Sequence, residues 1–111
     1  MSVSWDVLTN PPGFAASTML LLTDGRMICQ EDGSPNWSAL APDSYGSYKD
    51  GTWSPIAPMS IYRRYYASAV LASGHVFVAG GEDAPIPDTN VCELYDPVQD
   101  TWTVILSLIH I

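Results

Sequence analysis

The chain has 111 residues, 47 % of them apolar and 14 % charged, which is the composition of a globular protein and not of a disordered segment. Twelve acidic against four basic residues leave a net charge of −8, a surface that repels phosphate backbones and excludes nucleic-acid binding as an expected function. No apolar run approaches the ~18 residues that span a bilayer, and the opening MSVSWDVLTNPPG lacks the basic and apolar regions of a secretory signal. No membrane partner is expected, and a cytoplasmic location is the default.

Trp5–Leu8 reads as a short strand, which Asn10-Pro11-Pro12-Gly13 then breaks. Ala16–Thr23 is an apolar, β-compatible run, Asp24-Gly25 a tight hairpin turn, and Arg26–Gln30 the returning strand. A polar loop over Glu31–Asp43 holds Gly33, Pro35 and Pro42. Ser44–Tyr48 reads as the next strand, Asp50-Gly51 as a turn and Trp53–Ile56 as the last strand of the unit. The order then repeats. Tyr66–Leu71 is a strand, Ser73-Gly74 a turn, and His75–Ala79 a strand ending at Gly80-Gly81. After the loop Glu82–Thr89 come a strand at Asn90–Tyr95, a turn at Asp96–Asp100 and a strand at Thr101–Ile105. No segment has helical periodicity.

The two copies lie 49 residues apart: Thr52-Trp53 recurs as Thr101-Trp102, and Asp24-Gly25-Arg26 as Ser73-Gly74-His75. Trp5 stands 48 residues before Trp53, so the first strand of the chain matches the last strand of a unit. A period near 50 built from four short antiparallel strands is the mark of a β-propeller blade, which cannot bury its apolar faces alone. The expected fold is all-β: two four-stranded blades, plus an N-terminal strand of the kind that closes a ring. Residues 1–12 are assigned to that closing strand, 13–58 to the first blade and 59–105 to the second.

Arg63 to Trp102 resembles a kelch repeat. The residues that carry the resemblance are Arg63, the Gly80-Gly81 pair, the ELYDP run Glu93–Pro97, and Trp102. Each has a physical role: the glycines let a strand end bend where backbones pack closely, and Tyr95, Trp53 and Trp102 fill the space between blades. The first copy is degenerate, with Glu31 and Asp32 where the glycines stand. Kelch propellers have six or seven blades, roughly 300–350 residues at this period, so the resemblance implies an N-terminal fragment. Residues 106–111, Leu-Ser-Leu-Ile-His-Ile, have no counterpart in the first copy and match the translation of a common transposase sequencing adapter. They are expected to derive from it.

Kelch propellers share their fold with galactose oxidase and its relatives, whose copper radical chemistry needs a tyrosine joined to a cysteine of the preceding blade. The resemblance puts Tyr65 at the tyrosine position. The cysteine position falls near Ala16, and no cysteine lies within ten residues of it. The two cysteines, Cys29 and Cys92, are 63 residues apart and read as buried free thiols. His75 sits in a turn, and Asp24, Asp32, Asp83 and Asp88 are scattered without the alternation of a calcium loop. No catalytic residue, metal ligand or cofactor is therefore assigned.

The strongest local cluster is Arg63-Arg64-Tyr65-Tyr66, which holds two of the four basic residues. It lies in the connection from the fourth strand of one blade to the first of the next. In kelch propellers that connection emerges beside the loop between strands two and three, here with Glu82 and Asp83. Arg63, Arg64, Tyr65, Glu82 and Asp83 are the candidate binding residues, since guanidinium takes carboxylates bidentately and tyrosine offers area plus a hydroxyl. The competing reading has one arginine pair with Glu82 or Asp83 and merely tie the blades together. The expected function is a non-catalytic binding or scaffold module for an unknown protein or small ligand. The alternatives are a fragment of a galactose-oxidase-like copper oxidase, and a two-blade protein that self-associates through its open blade faces.

Overall fold

The computed structural model describes residues 3–82 and 91–105. Its strands are β1 (Ala16–Leu21), β2 (Met27–Glu31), β3 (Trp37–Ala41), β4 (Thr52–Ile56), β5 (Ala67–Val70), β6 (Val76–Ala79), β7 (Cys92–Asp96) and β8 (Thr101–Ile105). They form two antiparallel sheets, β1-β2-β3-β4 and β5-β6-β7-β8, each running in chain order. No helix occurs among the described residues. The chain is thus two four-stranded blades of a partial propeller, as its repeats imply.

The first hairpin of each blade is built the same way. Leu22 N donates to Arg26 O at 2.8 Å and Gly25 N to Leu22 O at 3.1 Å. In the second blade Leu71 N donates to His75 O at 2.8 Å and Gly74 N to Leu71 O at 2.9 Å. The side chains at the two turn positions differ, but the backbone solution is shared.

Strand alternation sets which side chains meet between the blades. The register pairs Ile28 with Ala39 and Gln30 with Trp37, putting all four on one face of the first sheet. In the second sheet Val76 pairs with Tyr95, and Val78 with Glu93. Leu22, Ile28, Trp37, Ala39 and Met59 form one buried cluster with Val76, Val78 and Tyr95. Trp102 sits among them, 5.7 Å from Trp37 and 4.9 Å from Tyr95 between ring centres. The core therefore lies between the sheets, and neither sheet owns it.

Each blade's last strand is latched to the segment that leads into that blade. Trp53 Nε1 donates to Asn10 O at 2.8 Å, and Trp102 Nε1 donates to Ala57 O at 2.7 Å. Thr9 and Asn10 add bonds to Lys49, Asp50 and Gly51. In the second blade Asp100 accepts from Ala57 N at 2.9 Å and from the Tyr95 hydroxyl at 2.7 Å.

Two expectations need correction. The third strand of the first blade is Trp37–Ala41 and not Ser44–Tyr48. The Asp43 carboxylate accepts Tyr45 N at 2.9 Å and Ser47 N at 2.8 Å, a side-chain cap that holds this stretch as a turn. Residues 5–8 are not a strand, and Trp5 is 97 % exposed. A strand exists only by pairing, and these residues meet no sheet edge among the described residues. The loop from Asp83 to Thr89 and the segment 106–111 lie outside the described residues.

Candidate ligand-binding face

The connection between β4 and β5 crosses from one blade to the next, and Arg63 anchors it. Arg63 is wholly buried. Its Nη1 donates to Gly80 O at 2.8 Å and Val91 O at 3.0 Å, and its Nη2 to Glu93 Oε2 at 2.7 Å. The other Glu93 oxygen accepts Ser60 N at 2.8 Å. The first blade joins through Gln30, whose Nε2 donates to Arg63 O and Ser34 O, both at 2.9 Å. The Tyr66 hydroxyl donates to Gln30 Oε1. Burying two charges is costly, and these persist because the ion pair is backed by hydrogen bonds to the surrounding backbone. Burial pushes the Tyr66 phenol up to about 12. Burial likewise raises Tyr95, aided by the Asp100 carboxylate it donates to, while Ala57 N and the Tyr95 hydroxyl hold Asp100 below the usual carboxylate range.

The diglycine fits directly under this anchor. Gly80 supplies a carbonyl to Arg63. Gly81 has φ +116°, and a Cβ there would stand 2.9 Å from Arg64 O and 3.1 Å from the Arg63 Cβ. Only glycine meets both demands.

Beyond the anchor the chain surfaces. Arg64 and Glu82 exchange backbone bonds, Arg64 N to Glu82 O at 3.0 Å and Glu82 N to Arg64 O at 2.7 Å, so the two expected loops form a short bridge. The Arg64 side chain reaches back over Gly33 to Asp32 of the first blade, Nε to Oδ1 at 3.3 Å, with both side chains part-exposed. Tyr65 follows, 77 % exposed with φ +53°, and Tyr62 is 38 % exposed.

The structure thus brings Arg64, Tyr65 and Glu82 together on one face. Arg63, expected at the rim, is instead a buried anchor, because its charge is matched by Glu93 on the inward face of β7. Among the described residues Arg63 pairs with Glu93, and Arg64 with Asp32. Asp83 lies outside the described residues. Trp102 and Tyr95 pack between the two sheets, and Trp53 packs on Phe14 with ring centres 5.9 Å apart. Glu93 had a legible signal, since alternation puts it on the same face as Tyr95, and a charge there needs a partner. Gln30 and Asp32 had none.

The opposite face carries a second feature, a cleft of about 110 Å³ between the turns of the two blades, lined by Thr23, Asp24, Ser73, His75 and Asp96 among others. Ser73 Oγ lies 2.9 Å from His75 Nδ1, but His75 Nε2 is 3.8 Å from Asp96 Oδ2. Asp96 Oδ1 caps its own turn through Val98 N at 2.9 Å and Gln99 N at 3.3 Å. Asp24 is paired with Arg26 at 2.9 Å. Burial would raise the Asp24 carboxyl, yet the Arg26 hydrogen bond and charge hold it below the usual value. These contacts stabilise hairpin turns.

Pairs of four-stranded meanders packed face to face, with a tryptophan latch on each last strand, define propeller blades. The comparisons name their type. The kelch motif matches residues 63–105. An F-box/kelch-repeat protein of Arabidopsis thaliana is 39 % identical over 57 residues, covering 51 % of this chain and 15 % of the plant protein. A fungal alcohol oxidase of the AA5 family, solved in complex with copper, matches with TM-score 0.63 and 31 % identity over 81 % of this chain and 18 % of its own. The match to the kelch motif falls on the second blade, and the chain spans less than a fifth of either relative.

The oxidase likeness raises copper and a tyrosine–cysteine cofactor, and the residues here do not fit them. No cysteine stands near Ala16, where the resemblance would require one, and Cys29 and Cys92 are buried free thiols on strands. Among the described residues no group of three or more His, Cys, Asp or Glu is placed to hold a metal ion.

Proposed function

We propose that this chain is part of a non-catalytic kelch-type binding module whose partner, a protein, engages the face carrying Tyr62, Arg64, Tyr65 and Glu82. The observation that supports this is the contrast between neighbours. Arg63 is locked into the inter-blade joint, and the next two residues are held at the surface on that rigid base. Exposed side chains on loops fixed by a scaffold are the usual form of a recognition surface. The test is selection of a displayed peptide library on the full chain. Selected peptides lose binding to Tyr62→Ala and Glu82→Ala, and keep it with Tyr45→Ala, a 94 % exposed tyrosine in the turn between β3 and β4 at the other end of the sheet. Peptides that ignore the first two changes, or an empty selection, refute the proposal.

The likeness to the fungal enzyme supports a second reading, a copper oxidase. It would have to draw its cysteine and histidines from sequence other than these 111 residues.

A further inference from the structure

Two non-glycine residues among those described have positive φ, Tyr65 and Asp100, both at +53°. The left-handed region is tolerated by aspartate and disfavoured for bulky side chains. Asp100 is repaid by the folded chain, since its carboxylate accepts Ala57 N at 2.9 Å and the Tyr95 hydroxyl at 2.7 Å. Tyr65 is not. Its side chain is 77 % exposed, and among the described residues its ring has no aromatic neighbour and its hydroxyl no hydrogen bond. A strained conformation that displays an aromatic ring to solvent contributes nothing to folding, and such strain collects at functional positions.

We infer that Tyr65 is a ligand-contact residue, and that its ligand is a side-chain cation, arginine or lysine, presented by a protein segment. This rests on the proposed binding face and names what that face reads. The charges around Tyr65 favour a cation. The Arg64 guanidinium is drawn away toward Asp32 at 3.3 Å, over Gly33. Glu82, fixed beside Arg64 by its backbone bridge, is exposed, and the chain as a whole carries −8. An exposed tyrosine face on a chain of net negative charge attracts a cation through the ring quadrupole and the charge together. The same field disfavours phosphate and carboxylate ligands.

The test is an NMR titration of the full chain with acetyl-arginine N-methylamide and with its neutral citrulline counterpart. The arginine probe is expected to shift Tyr65 and Glu82, and the citrulline probe to leave them unmoved. Tyr65→Phe keeps the ring and retains binding, whereas Tyr65→Leu keeps bulk but loses the quadrupole and weakens it about two- to fivefold. Tyr65→Gly abolishes the response at Glu82 while leaving the melting midpoint unchanged or higher, because glycine relieves the strain. Equal binding of the two probes, equal binding to the Phe and Leu variants, or a lowered midpoint for Tyr65→Gly overturns the inference. Methyl β-glucopyranoside shifting Tyr65 in place of the arginine probe also overturns it, while leaving the binding face standing. Failure of the peptide selection removes the face itself.

Discussion

Replacing Arg63 with methionine tests whether the inter-blade joint holds the structure together. The substitution keeps an unbranched side chain of similar length and removes the charge. Glu93, also fully buried, then keeps its carboxylate with only Ser60 N beside it. Breaking a buried pair from one side costs about 3–5 kcal/mol. Gly80 O and Val91 O lose a donor as well, at about 1–3 kcal/mol for each carbonyl that finds no water. Set against the ~5–15 kcal/mol that stabilises an ordinary domain, Arg63→Met should leave much of the chain unfolded. Glu93→Leu should be similarly damaging. The double variant removes the orphan charge and should recover about 2–3 kcal/mol relative to the sum of the single changes, without reaching wild type, because the hydrogen bonds to Gly80 O, Val91 O and Ser60 N are still lost. Urea titration followed by tryptophan fluorescence reports this directly, since Trp37 and Trp102 face each other across the joint. A cost below about 1 kcal/mol for Arg63→Met, or simple additivity in the cycle, would refute the assignment of Arg63 as the anchor.

Gly81→Ala is expected to cost about 2–3 kcal/mol, from an unfavourable φ of +116° and a Cβ 2.9 Å from Arg64 O, and a urea midpoint equal to wild type would contradict it. Tyr66 is raised to about 12 in the folded chain against 10 in the unfolded one, so its contribution is intact below pH 10 and is lost as pH rises toward 12. The alkaline fall in stability should therefore be shallower for Tyr66→Phe over that window, and identical slopes would exclude the effect. Met19 and Leu21 are 43 % and 55 % exposed on the outer face of the first blade, so we expect sedimentation to show mass rising with concentration and Leu21→Lys to shift the chain toward monomer. A concentration-independent monomer would count against self-association.

Much of the fold was legible because the repeat states it twice. The turn residues of Ser73-Gly74 and the apolar run into β6 locate the second blade, and the offset carries the assignment back to the first. The third strand of the first blade escaped because Trp37–Ala41 is short, rich in small residues and flanked by Pro35 and Pro42, while Ser44–Tyr48 carries the tyrosines that usually favour strands. What decides that stretch is the single Asp43 side chain, a local hydrogen bond that no periodicity announces. The site was legible as a cluster and not as an arrangement. Two adjacent arginines look alike in sequence, and only the inward Glu93 determines that Arg63 is buried and Arg64 is not.

The tryptophan latch has a consequence for how such chains vary. In the first blade the indole reaches a carbonyl 43 residues back, and in the second 45, yet the bond is the same. The closure is therefore measured by the sheet and not by residue count, and differences in length are absorbed by loops that lie off its path. Insertions or deletions in the β6–β7 connection, where Glu82 stands, can reshape the surface offered to a partner without reopening the blade. Recognition and closure are mechanically separate, so the one can be rewritten while the other is kept.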